Sequence, residues 1–320
     1  MRLRRWIGVT GVVAGLIWPW VTGTPYMLNL ATGAAIWGLF AVSYDLVIGW
    51  TGEISFGHAL FFGMGVYGLG LLAVHTHWST WILLPMATLG TGLFAMGLSF
   101  LSLRATGPYF AMVTFALAEF FHLVVQSATG FTGGTNGLAG MQFSPALTAP
   151  GVLYDVSALL ALAAAFGVVR LRHHRLGLLA HAVRDNPLRA DLLGISSRRV
   201  KWVTLAAAGG LAGLAGTLYV LFQGMAFTET LNSDTSFTVL LMVIIGGVDS
   251  GWGPLAAGAG LYIVETWLNA TTSHWALVLG VIYIVVVRFF PKGLAGFQRT
   301  AKLATSEQEN RQWQQGGEAG

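Results

Sequence analysis

The sequence predicts an all-α, polytopic integral membrane protein with about ten transmembrane helices. Hydrophobic residues make up 55% of the 320 residues and charged residues only 9%, whereas about a quarter of the residues of a soluble domain are charged. A soluble chain with so few charges would leave most of its surface apolar. The net charge of +4 fits loops that face an anionic lipid leaflet, and burial of most of the chain in lipid excludes a nucleic-acid partner.

The seventeen Lys and Arg residues are confined to four sites in the chain. These are Arg2 with Arg4 and Arg5, then Arg104, then the basic loop Arg170–Lys201 with eight, and the segment from Arg288 onward with five. The stretches between them contain apolar runs long enough to cross a hydrocarbon core about 30 Å thick as helices. Because basic residues concentrate in cytoplasmic segments beside membrane spans, we expect all four sites, and both termini, in the cytoplasm.

Ten spans satisfy this constraint. We expect them near residues 6–21, 26–48, 54–74, 79–103, 108–127, 153–169, 202–223, 236–248, 253–269 and 275–290. The external segments, at 22–25, 75–78, 128–152, 224–235 and 270–274, then contain no Lys or Arg. Residues 1–296 form the predicted membrane domain, and the polar residues 297–320 form a disordered cytoplasmic tail.

Glycine is abundant, at 43 residues, and it is predicted to have two roles. Gly49–Gly52 and Gly246–Pro254 interrupt apolar stretches in corresponding positions of two halves, which is typical of transporters built from repeats with a path between them. Gly209, Gly213 and Gly216 form a small-residue face that allows close helix packing. The sequence therefore predicts two pseudo-repeated halves, each with a broken helix.

The basic loop contains one short predicted helix. Asn186 suits an N-cap, Pro187 the first helical position and Gly194 a left-handed C-cap. A helix of about two turns is not stable alone in water, so its apolar side, with Leu188 and Leu192, must pack on something. A basic loop resting on lipid headgroups is one interpretation. The caps at both ends favour the other, a docking helix for a cytoplasmic partner.

Four segments in this order resemble the permease subunits of branched-chain amino acid ABC importers. They are Gly49–Ala59, Thr132–Leu138, Arg184–Ile195 and Gly246–Pro254. The resemblance covers about residues 30 to 295. It departs from the family pattern at three positions, since Asp249 stands where Gly is common, and Pro187 and Arg189 replace the more usual Glu and Ala.

The resemblance implies a permease in a bacterial inner membrane that carries branched-chain amino acids delivered by a periplasmic solute-binding protein. It also implies a second, homologous permease and two cytoplasmic ATPase subunits. The sequence has no Gly-Lys dipeptide and hence no Walker A phosphate site, so we expect the partners to hydrolyse MgATP and this chain to have no catalytic residue, cofactor or metal. The implied ATPase-coupling residues are Arg184, Asp185, Asn186, Pro187, Leu188, Ala190, Asp191, Leu192 and Gly194.

Candidate residues of the translocation path or its gate are Glu53, His58, Glu119, His122, Gly133, Gly134, Asn136, Gly246 and Gly247. Glu119 and His122 are spaced i, i+3 on one helix face, and a charge at the bilayer centre costs about 2.5–3.5 kcal/mol. The pair either binds a substrate ammonium group or joins two helices. The Thr132–Leu138 amides form either an anion-binding nest or a flexible surface loop.

Two other classes of function are considered. A stand-alone, ion-coupled secondary transporter would use Glu119 and His122 as proton carriers, but it has no need of a capped docking helix. A membrane enzyme would need a cluster of His or acidic ligands near one interface, which the sequence lacks. Within the importer class, the substrate stays open, because the same architecture also suits urea, amides or aromatic acids.

The charge distribution predicts the orientation of the chain. Reporter fusions after Ala73, Thr148 and Met225 should report the periplasm, whereas fusions after Arg104, Arg198 and Ala301 should report the cytoplasm, because basic segments stay inside. Paired alkaline phosphatase and fluorescent-protein fusions measure this. A cytoplasmic signal at Thr148 would contradict the ten-helix topology.

Overall fold

The computed structural model describes residues 24–289, which contain no β-strand and fold into thirteen α-helices. The helices are α1 (Pro25–Leu46), α2 (His58–His75), α3 (Thr80–Ser102), α4 (Pro108–Ser127), α5 (Thr129–Thr132), α6 (Pro145–Thr148), α7 (Pro150–Arg172), α8 (Arg175–Asp185), α9 (Pro187–Leu192), α10 (Ser197–Gln223), α11 (Ser233–Gly246), α12 (Trp252–Thr271) and α13 (Trp275–Phe289). A π-helical turn, Val47–Thr51, continues α1. The predicted first span and the predicted tail lie outside the described residues.

The predicted all-α membrane fold is confirmed. The other nine predicted spans each coincide with an α-helix whose ends differ by a few residues. Six helices, namely α1 with its π turn, α2, α3, α4, α7 and α10, are long and apolar enough to cross a membrane, and α11 and α13 are shorter apolar helices. This protein is therefore a multi-pass membrane protein.

The glycine contacts show that α10 runs antiparallel to α3 and that α12 runs antiparallel to α1, which gives the bundle two ends. We call one of them the basic end, where α7 finishes, α8 and α9 lie and α10 begins, and the other the far end. Arg104 follows α3 and Arg288 lies in the last turn of α13, both at the basic end. Within residues 24–289, all Lys and Arg residues thus belong to one end of the bundle. This agrees with the prediction that the basic sites lie on one side of the membrane.

Two helices form the centre of the bundle. α1 packs against α7, α10 and α12, and α10 packs against α1, α2 and α3. In α1 the side chains of Ile36, Leu39, Phe40 and Tyr44 are fully buried. α3 and α4 lie at the periphery and expose large apolar side chains such as Leu93. These apolar faces are suited to contact with lipid. The backbone groups of an α-helix bond to each other within the helix, so the hydrocarbon leaves none of them unpaired.

The small-residue face of α10 is confirmed as a packing surface. Gly209 lies against Ala95 of α3, Gly213 against Thr91 of α3, and Gly216 against the backbone carbonyl of Phe62 in α2. A methyl group at any of these glycines would overlap its neighbour. The three glycines therefore fix how closely α2 and α3 approach α10.

Two segments predicted as loops are more ordered than expected. The basic loop contains α8, whose buried residues Gly177, Ala180 and Val183 recur every third position. That spacing is a helical signal, but the small side chains form no conspicuous apolar run. The segment 224–235, predicted as an external loop, enters the bundle, because Leu231 is fully buried against Gly63 of α2. α11 consequently begins deeper than a surface loop would allow.

Substituting Gly216 tests this packing. Gly216→Ala should lower the free energy of unfolding by about 1–3 kcal/mol, the usual cost of overpacking a core, because its methyl group would overlap the Phe62 carbonyl. Gly97→Ala is the matched control, since nothing lies within 4 Å of a methyl group there. Thermal unfolding of both variants in detergent measures the difference, and equal stability would contradict the close contact.

Candidate coupling and translocation site

The first glycine-rich segment ends α1 through a change of helix type. The π turn Val47–Thr51 is followed by Gly52, which has a left-handed backbone with φ 71°. Residues 53–57 then run without helical structure before α2 begins at His58. The carbonyl oxygen of Gly49 accepts a hydrogen bond from Arg184 Nη1 of α8. An arginine of the basic loop therefore stabilises the first helix break.

The second break lies between α11 and α12 and is held by a buried carboxylate. Asp45 of α1, which is fully buried, accepts hydrogen bonds from the amides of Asp249, at 2.6 Å, and Gly251, at 3.0 Å. Asp249 has a left-handed backbone, φ 64°, a conformation that Gly adopts at least cost and Asp tolerates better than most residues. The departure at Asp249 noted in the sequence therefore falls on a position whose backbone suits glycine.

The two breaks contact each other. A methyl group at Gly49 would lie 3.1 Å from Cα of Asp249, so the absence of a side chain permits this approach. We call Asp45, Gly49, Asp249 and the loop side chains that bind them, Arg172, His181 and Arg184, the break junction. The predicted pair of breaks thus forms a single structural unit at the basic end.

Side chains from α7 and α8 attach the basic loop to the second break. Arg172 Nη2 lies 2.7 Å from Asp249 Oδ2, and Arg172 Nη1 donates to the Asp249 carbonyl oxygen. His181 Nε2 lies 3.0 Å from Asp249 Oδ1, while its Nδ1 lies 2.6 Å from the Gly177 carbonyl oxygen. Both ring nitrogens of His181 thus lie within hydrogen-bonding distance of oxygen atoms. A displacement of α8 would therefore act on both breaks at once.

The predicted caps of α9 are confirmed. Asn186 Oδ1 accepts from the Arg189 amide at 2.9 Å, and Gly194 is left-handed with φ 81°. Asp191 Oδ1 accepts from the Ser197 amide at 2.8 Å, at the start of α10. Ala190 is buried, and Asp185 is the last residue of α8. α9 is thus attached firmly to α8 and α10.

The apolar side of α9 has no cover in the described part of the chain. Leu188, Leu192 and Leu193 are 71%, 81% and 73% exposed. Three neighbouring leucines exposed to this degree are typical of a surface that binds a partner. The exposure of these leucines fits both predicted interpretations, a docking helix and a loop resting on lipid headgroups, and the coupling role of α9 stays a prediction.

Glu53, predicted for the path or gate, binds groups at the basic end. Its Oε1 lies 2.5 Å from Lys201 Nζ, and its Oε2 accepts from the Gly107 amide at 3.1 Å. Both side chains of the ion pair are largely buried, with 9% and 12% of their surfaces exposed. Glu53 thus connects the first break to the start of α10 and to the connection between α3 and α4.

His58 and the Glu119–His122 pair have contacts inside this chain. His58 is buried, stacks on Phe40 and lies 2.9 Å from Ser43 Oγ through its Nε2. Glu119 Oε1 accepts from Ser233 Oγ at 2.6 Å, which joins α4 to the first residue of α11. His122 Nδ1 lies 3.7 Å from Glu119 Oε2, too far for a hydrogen bond. A helix-joining contact is present, and the path-lining role of these residues stays a prediction.

The glycines of the outer segment are occupied by contacts within the protein. Gly133 and Gly134 are left-handed, and their amides donate to Thr129 O and Thr132 Oγ1. The Leu138 amide donates to Ala226 O at 2.9 Å, which pairs two far-end segments. Asn136 is exposed beside them. The amides of Gly133, Gly134 and Leu138 are thus paired within the protein, and an anion-binding role for the segment stays a prediction.

Gly246 and Gly247 belong to the second break. A methyl group at Gly246 would overlap the carbonyl of Gly253, and Gly247 has φ 95°. Both positions therefore require glycine for backbone reasons.

A cavity of about 240 Å³ lies between α1, α2, α10 and the segment after α10. None of the predicted path residues lines it. Its walls include Trp37, Phe62 and Tyr219, and Glu229 lies at its edge. These residues were not predicted from the sequence, because Glu229 falls in a segment predicted as an external loop and no motif includes the aromatic residues.

The described residues form a bundle of apolar helices in which two helix breaks contact each other and a basic loop carries an exposed, capped helix. The model of one protein family, described as "Branched-chain amino acid transport system / permease component", matches residues 26–287. The chain belongs to this family of permease components.

Individual relatives agree with the family. The chain is 27% identical to the high-affinity branched-chain amino acid transport system permease protein LivM of Escherichia coli (strain K12), over 90% of this chain and 74% of the relative. It is 22% identical to the permease protein LivH of that strain, over 87% and 96%. The fructose import permease protein FruG of Bifidobacterium longum is 26% identical over 42% of each chain. No solved structure matches.

A double-mutant cycle tests the junction. Arg172→Gln and Asp249→Asn should each lower the free energy of unfolding, and together they should cost about 1–2 kcal/mol less than the sum, because either change alone breaks the same ion pair. Chemical or thermal unfolding in detergent measures all four proteins. Arg170→Gln, an exposed position in the same helix turn, is the matched control. Strict additivity of Arg172→Gln and Asp249→Asn would contradict the contact.

Proposed function

We propose that this chain is a transmembrane subunit of an ATP-driven importer and forms part of the path for branched-chain amino acids delivered by a periplasmic binding protein. The observation that carries the proposal is the family match across residues 26–287, which spans the whole helical bundle. The similarity to LivM supports the substrate class. The match to a fructose permease indicates that the fold alone does not select the substrate.

A second permease subunit is part of the proposal. Two different permease proteins named for the same transport system in one bacterial strain, LivM and LivH, both resemble this chain over most of its length. This supports a pair of homologous subunits, with the path between them. In this arrangement each subunit contributes one wall of the path.

ATPase subunits are proposed to bind at the basic end. Basic residues mark the cytoplasmic side, so the basic end would face the cytoplasm and the far end the periplasm. α9 has an exposed leucine surface, and the caps at both ends stabilise its helical conformation. Force applied to α9 would pass through α8 to the break junction, because Arg184 and His181 of α8 bind the two breaks directly.

Leu192→Asp tests the coupling role. It should lower ATP-driven leucine uptake by about tenfold, a coupling free energy within the usual range, because a carboxylate replaces an apolar contact with the ATPase. Leu192 is 81% exposed, so the isolated subunit should fold as the wild type does. Leucine uptake and ATP hydrolysis are measured in proteoliposomes that contain the assembled complex and its binding protein.

The control for this experiment is Leu178→Asp, which makes the same chemical change at a 60% exposed leucine of α8. Asp191→Lys is a poorer variant, because Asp191 also accepts a hydrogen bond from the start of α10. Wild-type uptake by Leu192→Asp would contradict the docking role of α9. A wild-type complex that hydrolyses ATP without importing leucine, isoleucine or valine would contradict the substrate class.

A further inference from the structure

The cavity between α1, α2, α10 and the segment after α10 has the composition of a small binding site. Its volume of about 240 Å³ exceeds that of a cavity of about 150 Å³ that holds benzene in another protein. Phe62 and Thr230, both buried, form its floor, whereas Gln223 and Glu229, both exposed, mark its rim. The cavity is therefore open and large enough for a small amino acid.

The carboxylate of Glu229 has no ion-pair or hydrogen-bond partner within residues 24–289. The backbone of Glu229 is held in place, because its carbonyl oxygen accepts from the Asn232 amide and from Thr235 Oγ1. The sequence contains no Lys or Arg between Lys201 and Arg288, and the described basic side chains lie at the opposite end. A positioned carboxylate without a cation within its own chain is suited to a cation that arrives from outside.

The walls next to this carboxylate are aromatic. Trp37, Tyr219 and Phe227 line the cavity with it, and the Tyr219 hydroxyl accepts a hydrogen bond from Gln223 Nε2. Aromatic faces attract an ammonium group through their quadrupoles and also pack against aliphatic side chains. The combination of one carboxylate and several aromatic rings recognises a primary ammonium attached to an apolar group.

We propose that this cavity is a subsite for the amino acid on its way through the permease, with the substrate ammonium at Glu229 and its aliphatic side chain against Trp37 and Phe62. The proposal rests on the proposed function, since it takes an amino acid as the cargo. The site lies between the far end and the break junction, so a substrate bound there has entered the bundle but has not reached the breaks.

Variants of Glu229 test the subsite in proteoliposomes that contain the assembled complex and its binding protein, with radiolabelled leucine as the probe. Uptake is normalised to the complex recovered. Glu229→Gln should lower leucine uptake about tenfold, the effect of 1.4 kcal/mol on an equilibrium, because the amide lacks the negative charge. Glu229→Asp keeps the charge and should retain more uptake than Glu229→Gln, which a purely structural role would not require.

Asp234→Asn is the matched control. It removes one negative charge from the same segment, but Asp234 does not line the cavity, so uptake should stay at the wild-type level. Equal loss of uptake in Glu229→Gln and Asp234→Asn would overturn the subsite and indicate a general effect of surface charge. Full uptake by Glu229→Gln would also overturn the subsite, because the carboxylate would then have no role in transport. Leucine uptake by the wild type separates these outcomes from failure of the proposed function, in which neither the wild type nor any variant imports an amino acid.

Discussion

The need to pair backbone groups where two helices break inside the bundle determines the structure of the basic end. Buried residues that leave a helix have amide and carbonyl groups that lose their helical partners and need others. Asp45 binds the amides of Asp249 and Gly251, and Arg184 binds the carbonyl of Gly49. These partners come from α1 and α8, so each break depends on elements outside its own segment. The breaks, α1 and the basic loop therefore form one cooperative unit.

The need of buried polar groups for bonding partners also explains the contacts of the buried carboxylates. Each of Asp45, Glu53 and Asp249 is bonded to amides or to a basic side chain, which offsets the cost of removing a carboxylate from water. All three act as connectors between segments that are far apart in sequence. Glu229 differs, because its carboxylate has no such partner within the described chain. Glu229 is also exposed, so its carboxylate does not need a partner within the protein, and its position on the rim of the cavity is what suits it to a ligand.

Much of the helical framework is predictable because its signals are local. Apolar runs locate the nine described spans, the four basic sites give their orientation, and the caps of α9 depend only on Asn186, Pro187 and Gly194 within one short segment. α8 escapes a search for apolar runs, because its buried face consists of small residues such as Gly177 and Ala180. The segment with Thr228–Leu231 contains enough polar residues to resemble a loop, although Leu231 is fully buried.

The site is less predictable than the framework for a physical reason. The contacts of Lys201 with Glu53, and of Arg172 with Asp249, join residues that are distant in sequence. Their formation depends on how the helices cross, which no local pattern encodes. The motifs identify which segments matter, but they do not indicate which side chains bind each other.

The exposed leucines of α9 have a consequence for the life of the protein in the cell. In the proposed importer, a copy that reaches the membrane without its ATPase partner presents Leu188, Leu192 and Leu193 to water. Such a surface attracts chaperones, proteases and other unassembled copies. We expect the amount of this subunit to follow the supply of its partner, with surplus chains removed by quality control. The leucine surface that would bind the partner would thus also mark a subunit that lacks its partner.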